Sequence, residues 1–152
     1  MSLATILSFM TVLCLAAWVG EVATLNLIVV PNLNSMEQPD RAPFLSRFFP
    51  GFFRLATVFA ISTIAFGAAA ILSADRAARP VTLIGGALVL VLALFHFVIE
   101  SRLTPVARSL ASNPEPGKVR FMMRFLNIVP RIGIVVIVSG FALLLLGLSD
   151  NF

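Results

Sequence analysis

Residues 80–99 read PVTLIGGALVLVLALFHFVI, a stretch without an acid, a lysine or an arginine. An α-helix crosses the ~30 Å hydrocarbon of a bilayer in ~20 apolar residues, so this stretch reads as a membrane span. Pro80 suits its first turn, where a missing N–H costs nothing. Working outward, three more stretches have the same character: about 3–30, closed by Pro31, about 52–74, closed by Asp75-Arg76, and about 128–148. The expected fold is all-α: a polytopic membrane protein of four transmembrane helices, forming a single membrane domain over residues 1–152.

Composition agrees. The chain is 59% hydrophobic and 12% charged, against ~25% charged in soluble domains. Mean hydropathy is +1.02. In water such a surface would aggregate; in lipid an outward Leu or Phe is correctly placed. The net charge is +4. Because the basic residues flank apolar spans, they read as headgroup anchors, with the bilayer and not nucleic acid as partner. Cys14 is the single cysteine, so no intramolecular disulfide exists. No Lys or Arg precedes Arg41 and the first apolar run exceeds a signal h-region, so it reads as a retained helix.

The connections are expected as a long loop at 32–51 with Pro39, Pro43 and Pro50, a tight turn at 75–79, and a long loop at 100–127 with Pro105, Pro114 and Pro116. Within the last, Val119, Met122, Met123 and Leu126 recur at helical spacing, which predicts an amphipathic segment over 118–126 lying along the interface. Nine basic residues, from Arg41 to Arg131, fall on the side of loops 32–51 and 100–127, and Arg76 and Arg79 on the other. The positive-inside rule places those loops in the cytoplasm, both termini outside, and the protein in the cell (inner) membrane.

The halves echo each other. Arg47-Phe48 with Arg54 and Arg124-Phe125 with Arg131 share the pattern Arg-Phe-x5-Arg, and both lead into a span. Asn26 stands five residues before Pro31, and Glu100 five before Pro105. This predicts two repeated hairpins related by a pseudo-twofold along the membrane normal. Small residues recur at heptad spacing at Gly133, Gly140 and Gly147, and at Ala60, Gly67 and Ala74, as packing seams.

Ionisable groups at depth are the candidate site, because each is costly in hydrocarbon and needs a partner. Glu21 and His96 lie at nearly equal depth above Pro31 and Pro105 and are expected to face the interior and approach each other. A carboxylate neighbour would favour charged His96, while burial would favour the neutral forms of both. Arg131 with Glu100, and Arg54 with Glu21 or Asn26, are expected pairings; snorkelling of both arginines is the alternative.

Other chemistry is thinly represented. One histidine excludes a bis-histidine haem within a chain, leaving a His96–Met or dimer-shared haem. Met10 and Cys14, four apart, could offer copper soft ligands or simply pack. No zinc spacing, phosphate loop or activated nucleophile is present.

The run Ala17-Trp18-Val19-Gly20-Glu21, Pro31, and Arg47-Phe48-Phe49-Pro50-Gly51-Phe52-Phe53-Arg54-Leu55 resembles a broad group of small four-helix prokaryotic membrane proteins. The group includes CopD-like copper-resistance domains and the family related to transmembrane protein 205; haem-binding HemJ-type proteins are more distantly similar. The resemblance implies the four-helix membrane fold. Met123-Arg124-Phe125 stands where the second family has Leu-His-Arg, so that histidine is missing here.

Two functions follow as expectations. One is a non-enzymatic accessory or scaffolding subunit, meeting a membrane-protein partner or a second copy through glycine and phenylalanine surfaces. The other is transport or redox handling of a metal ion, haem or proton through Glu21 and His96. An enzyme acting on a lipid or quinone headgroup at the arginine rim is a third, weaker expectation.

Overall fold

Ser2 starts the first helix, its Oγ accepting the Thr5 N–H at 3.1 Å. The computed structural model describes residues 2–73 and 80–148. The helices are α1 (Leu3–Thr24), α2 (Val30–Ser35), α3 (Gln38–Leu72), α4 (Pro80–Ser109) and α5 (Pro116–Leu148). A π-helical turn at Leu25–Val29 joins α1 to α2 without a break, so four continuous helices among the described residues are apolar and long enough to cross a membrane. The protein is an all-α, multi-pass membrane protein. The seam residue Ala74 and the expected turn at 75–79, with Arg76 and Arg79, lie outside the described residues.

The two long loops are not loops. Only Met36 and Glu37 separate α2 from α3, and residues 110–115 separate α4 from α5. The prolines misled: Pro39 and Pro116 sit in first turns, where the missing N–H donor costs no intrahelical bond, and the helices run on through Pro43, Pro50, Pro105 and Pro130. What repays those breaks is burial. Leu33, Leu45, Phe49, Leu103, Leu110, Met122 and Leu126 belong to one core cluster. The segment 118–126 is therefore part of α5, and its apolar face is core, not interface.

At ~1.5 Å per residue these helices run ~45–52 Å, well beyond ~30 Å of hydrocarbon. The exposed large apolar side chains mark where the lipid lies: Leu3 to Ile28, Leu55 to Leu72, Leu83 to Val98, and Ile128 to Leu146, with Phe121 apart. None falls within 29–54 or 99–120. The molecule thus has two storeys. A water-side extension is built on the Phe49–Met122 cluster, and a lipid-embedded storey on Leu15, Trp18, Ala56, Ala60, Val89, Ala93 and Ile137.

Helices α1 and α3 pack as one hairpin and α4 and α5 as the other; α3 meets α4 and α1 meets α5 between them. Glycine sets the α4–α5 distance. A Cβ on Gly85 would lie 2.9 Å from the Leu144 backbone nitrogen, one on Gly140 would lie 3.1 Å from Val89 Cγ2, and Gly147 abuts Thr82. Gly67 faces Thr11 across α1–α3. Of the heptad seams, Gly140 and Gly147 are thus used between α4 and α5 and Gly67 between α1 and α3, while Gly133 has nothing within 4 Å.

Replacing Gly85 by Ala should lower the thermal unfolding midpoint in detergent, at an overpacking cost of about 1–3 kcal/mol. Gly20→Ala, with nothing within 4 Å of the added carbon, should leave the midpoint unchanged or raise it.

Candidate functional site

The small residues Ala56 and Ala60 let α4 come close to α3, and Thr57 stands between them on the chain. Its hydroxyl meets two groups of α4 that lie one turn apart. Thr57 Oγ1 is 3.1 Å from His96 Nε2 and donates a hydrogen bond to Glu100 Oε2. His96 Nε2 and Glu100 Oε2 are 3.9 Å apart. The histidine side chain is 13% exposed and the glutamate 25%, so the cluster grades from the bundle interior to its boundary.

Proton counting limits its states. A threonine hydroxyl has one proton and accepts through its lone pairs. If Thr57 donates to an ionised Glu100, then His96 Nε2–H donates to Thr57. If Glu100 carries the proton and donates to Thr57, then Thr57 donates to a bare Nε2. Where His96 is doubly protonated in the first, the two arrangements differ by one proton carried from imidazolium to carboxylate through the hydroxyl, leaving a neutral Nδ1–H imidazole and a neutral carboxyl.

Rings hold the imidazole in place. Trp18, Phe53 and Phe97 lie with centroids 6.0, 6.4 and 6.0 Å from it, all near edge-on. Beside it is a cavity of about 80 Å³, bounded by Trp18, Phe53, Phe95, Phe125 and Pro130, in which His96 is the sole titratable wall residue. Phe95 is also 48% exposed, so cavity wall and lipid-facing surface share it.

A second latch joins the hairpins. Asn26, in the π-turn, donates from Nδ2 to its own Val22 carbonyl at 2.9 Å and to the Pro130 carbonyl of α5 at 3.0 Å. Asn34 and Asn127 exchange amide bonds at 2.9 and 3.2 Å above it. Arg41 closes the α2–α3 turn, its Nε on the Met36 carbonyl and Nη2 on the Asn34 carbonyl. Asn26 ties α1 to α5, and Glu100 with His96 ties α4 to α3, so each hairpin's first helix grips the other's second.

The expected site residues are therefore partly regrouped. His96 and Glu100 come together through Thr57. Glu21 forms no hydrogen bond with His96: both of its carboxylate oxygens are buried and without a partner. It lies three residues from Trp18, which makes the contact with His96 in its place. Arg131 does not pair with Glu100, nor Arg54 with Glu21 or Asn26; both arginines are exposed, next to the lipid-facing Leu55 and Ile132. Thr57 was missed by the sequence reading. The available signal was a hydroxyl one turn inside the span, flanked by alanine.

Among the described residues no three His, Cys, Asp or Glu side chains gather as a metal site. The residues do not fit a haem either. An ~80 Å³ cavity is below the ~150 Å³ that admits one benzene ring, and Thr57 occupies His96 Nε2. Comparison with protein-family models, curated proteins and solved structures gave no match.

Thr57→Val should destabilise the protein by about 1–3 kcal/mol, because both α4 groups lose their partner. In denaturant unfolding, a Thr57→Val/Glu100→Gln cycle should show coupling of at least ~0.5 kcal/mol; strict additivity would mean the bridge is not formed.

Proposed function

We propose that this protein carries protons across the membrane, taking them up on its arginine-rich side and passing them to the opposite side by way of the cavity beside His96. The observation that carries this reading is the Thr57 hydroxyl bridging His96 and Glu100. An ionisable group within a span is costly, and here His96 shares a hydroxyl with Glu100 at the span's edge, a geometry that accommodates either of the two hydrogen-bond arrangements a relay uses. Glu100 is the entry, Thr57 the conductor and His96 the terminus beside the cavity.

The accessory-subunit reading has less support. Gly85, Gly140 and Gly147 are taken up between α4 and α5, and Phe44, Phe48, Phe49, Phe52 and Phe53 pack on the water-side core. Gly20, Gly86 and Gly133, with Phe9 and Phe95, remain open on the outer surface as the part of it that could meet a partner. The resemblance to CopD-like and transmembrane-protein-205-related proteins contributes the four-helix fold to this proposal and no chemistry.

In vesicles loaded with a pH-sensitive dye, the wild-type protein should speed proton entry under an imposed gradient. His96→Ala, Thr57→Val and Glu100→Gln should each cut that flux ~10-fold or more. Flux unchanged in all three, or no flux in the wild type, would remove the assignment.

We also assign residues 32–51 and 100–127 to the cytoplasmic side of the cell membrane, with both termini outside. The support is the nine basic residues on that side. In a Cys14→Ala background, Ser112→Cys should resist a membrane-impermeant maleimide in intact cells and react after lysis; labelling of intact cells would reverse the topology.

A further inference from the structure

We propose that the lipid-embedded storey holds one acyl chain of a bilayer phospholipid between α3 and α4, with its end inside the bundle. The site is a second cavity, of about 270 Å³, distinct from the one at His96. Small residues line it, Gly67 and Ala68 on α3 and Gly86 and Ala87 on α4, and the exposed Ala68 and Ala87 mark its mouth. Its floor is deep, because Thr11 of α1 and Leu144 of α5 also line it, and these are 1% and 6% exposed.

Three observations select a hydrocarbon chain from the bilayer. Leu83 and Leu90 line the cavity and are also exposed at 55% and 46% within the lipid-facing belt, so the cavity is continuous with the surface that hydrocarbon covers. The hydroxyls of Thr11 and Thr63 already donate to the Leu7 and Phe59 carbonyls of their own helices, each at 2.8 Å, so that of the three threonines in the wall Thr82 alone has a hydroxyl to offer water. The space is nearly twice the ~150 Å³ that stays dry and takes up an apolar guest. Left empty, its walls would forfeit dispersion contacts that a flexible chain restores. Reaching Thr11 and Leu144 takes the tail past the outer surface, which separates this site from the ordinary annulus of lipid.

The test uses the full chain reconstituted in dioleoyl-phosphatidylcholine vesicles, extracted into mild detergent and weighed by native mass spectrometry. The wild type should retain one phospholipid per chain through detergent exchange. Gly86→Leu fills the cavity from a position with nothing within 4 Å of the new carbon. Excluding a few methylenes of the tail removes their dispersion contacts with the walls and should lower retention at least ~10-fold. Gly20→Leu, on an exposed face of α1, should retain the lipid as the wild type does. Circular dichroism and a single elution peak establish that Gly86→Leu is folded; if it is not, Ala68→Phe is read in the same way. No retained lipid in the wild type, or equal retention in the cavity-filling variant, overturns the proposal. Neither result bears on the proton flux.

Discussion

Hydrocarbon offers a polar group no partner, and most of this structure is a response to that fact. Helix is the one open backbone form that satisfies itself, and the hydroxyls of Thr11, Thr24, Thr63 and Ser139 fold back onto carbonyls of their own helices. The cross-helix side-chain bonds at Asn26, Asn34 and Thr57 each join one hairpin to the other. Within the hairpins the α4–α5 contact relies on glycine and close approach; between them, polar latches add direction. Glu21 stands apart as a buried carboxyl with no partner.

The two storeys meet different solvents and use different cores. Beyond the bilayer the core resembles that of a soluble bundle, with Phe49, Leu33 and Met122 fully buried and arginines outside. Inside the bilayer burial brings no hydrophobic gain, so small residues and shape replace bulk. The Thr57 cluster sits where the storeys join, with the Glu100 side chain 25% exposed and that of His96 13%.

How much of this could be read in advance divides along physical lines. The spans were legible because hydropathy depends on composition alone: the lipid-facing belts end at Ile28, Leu55, Val98 and Ile128, close to the sequence boundaries. The loops were illegible because proline reads as a breaker when it is only a missing donor, harmless in a first turn at Pro39 or Pro116. Glu21 and His96 share no hydrogen bond, both Glu21 carboxylate oxygens being buried without a partner among the described residues. Counting residues from Pro31 and Pro105 gives depth, but depth does not give azimuth, and contact needs both. Asn26 and Glu100 were singled out as equivalent, and each does bond across to the other hairpin. Their partners, a backbone carbonyl and a lone threonine, carry no mark in the sequence.

The π-turn has a consequence for how the storeys are joined. Buried positions along the first helix run Ser8, Thr11, Leu15, Trp18 and Leu25, at steps that suit an α-helix, and then jump five residues to Val30 before resuming at Leu33. The Val30 N–H reaches back to the Leu25 carbonyl, which absorbs the surplus residue. Each α-helical residue advances the face by ~100°. One residue fewer here would leave the hydrogen-bond ladder regular, yet swing Asn34 and Leu33 away from α5. The helix is therefore geared: chain length at a single turn sets the angle at which the water-side half faces its neighbours, independently of how well either half packs by itself.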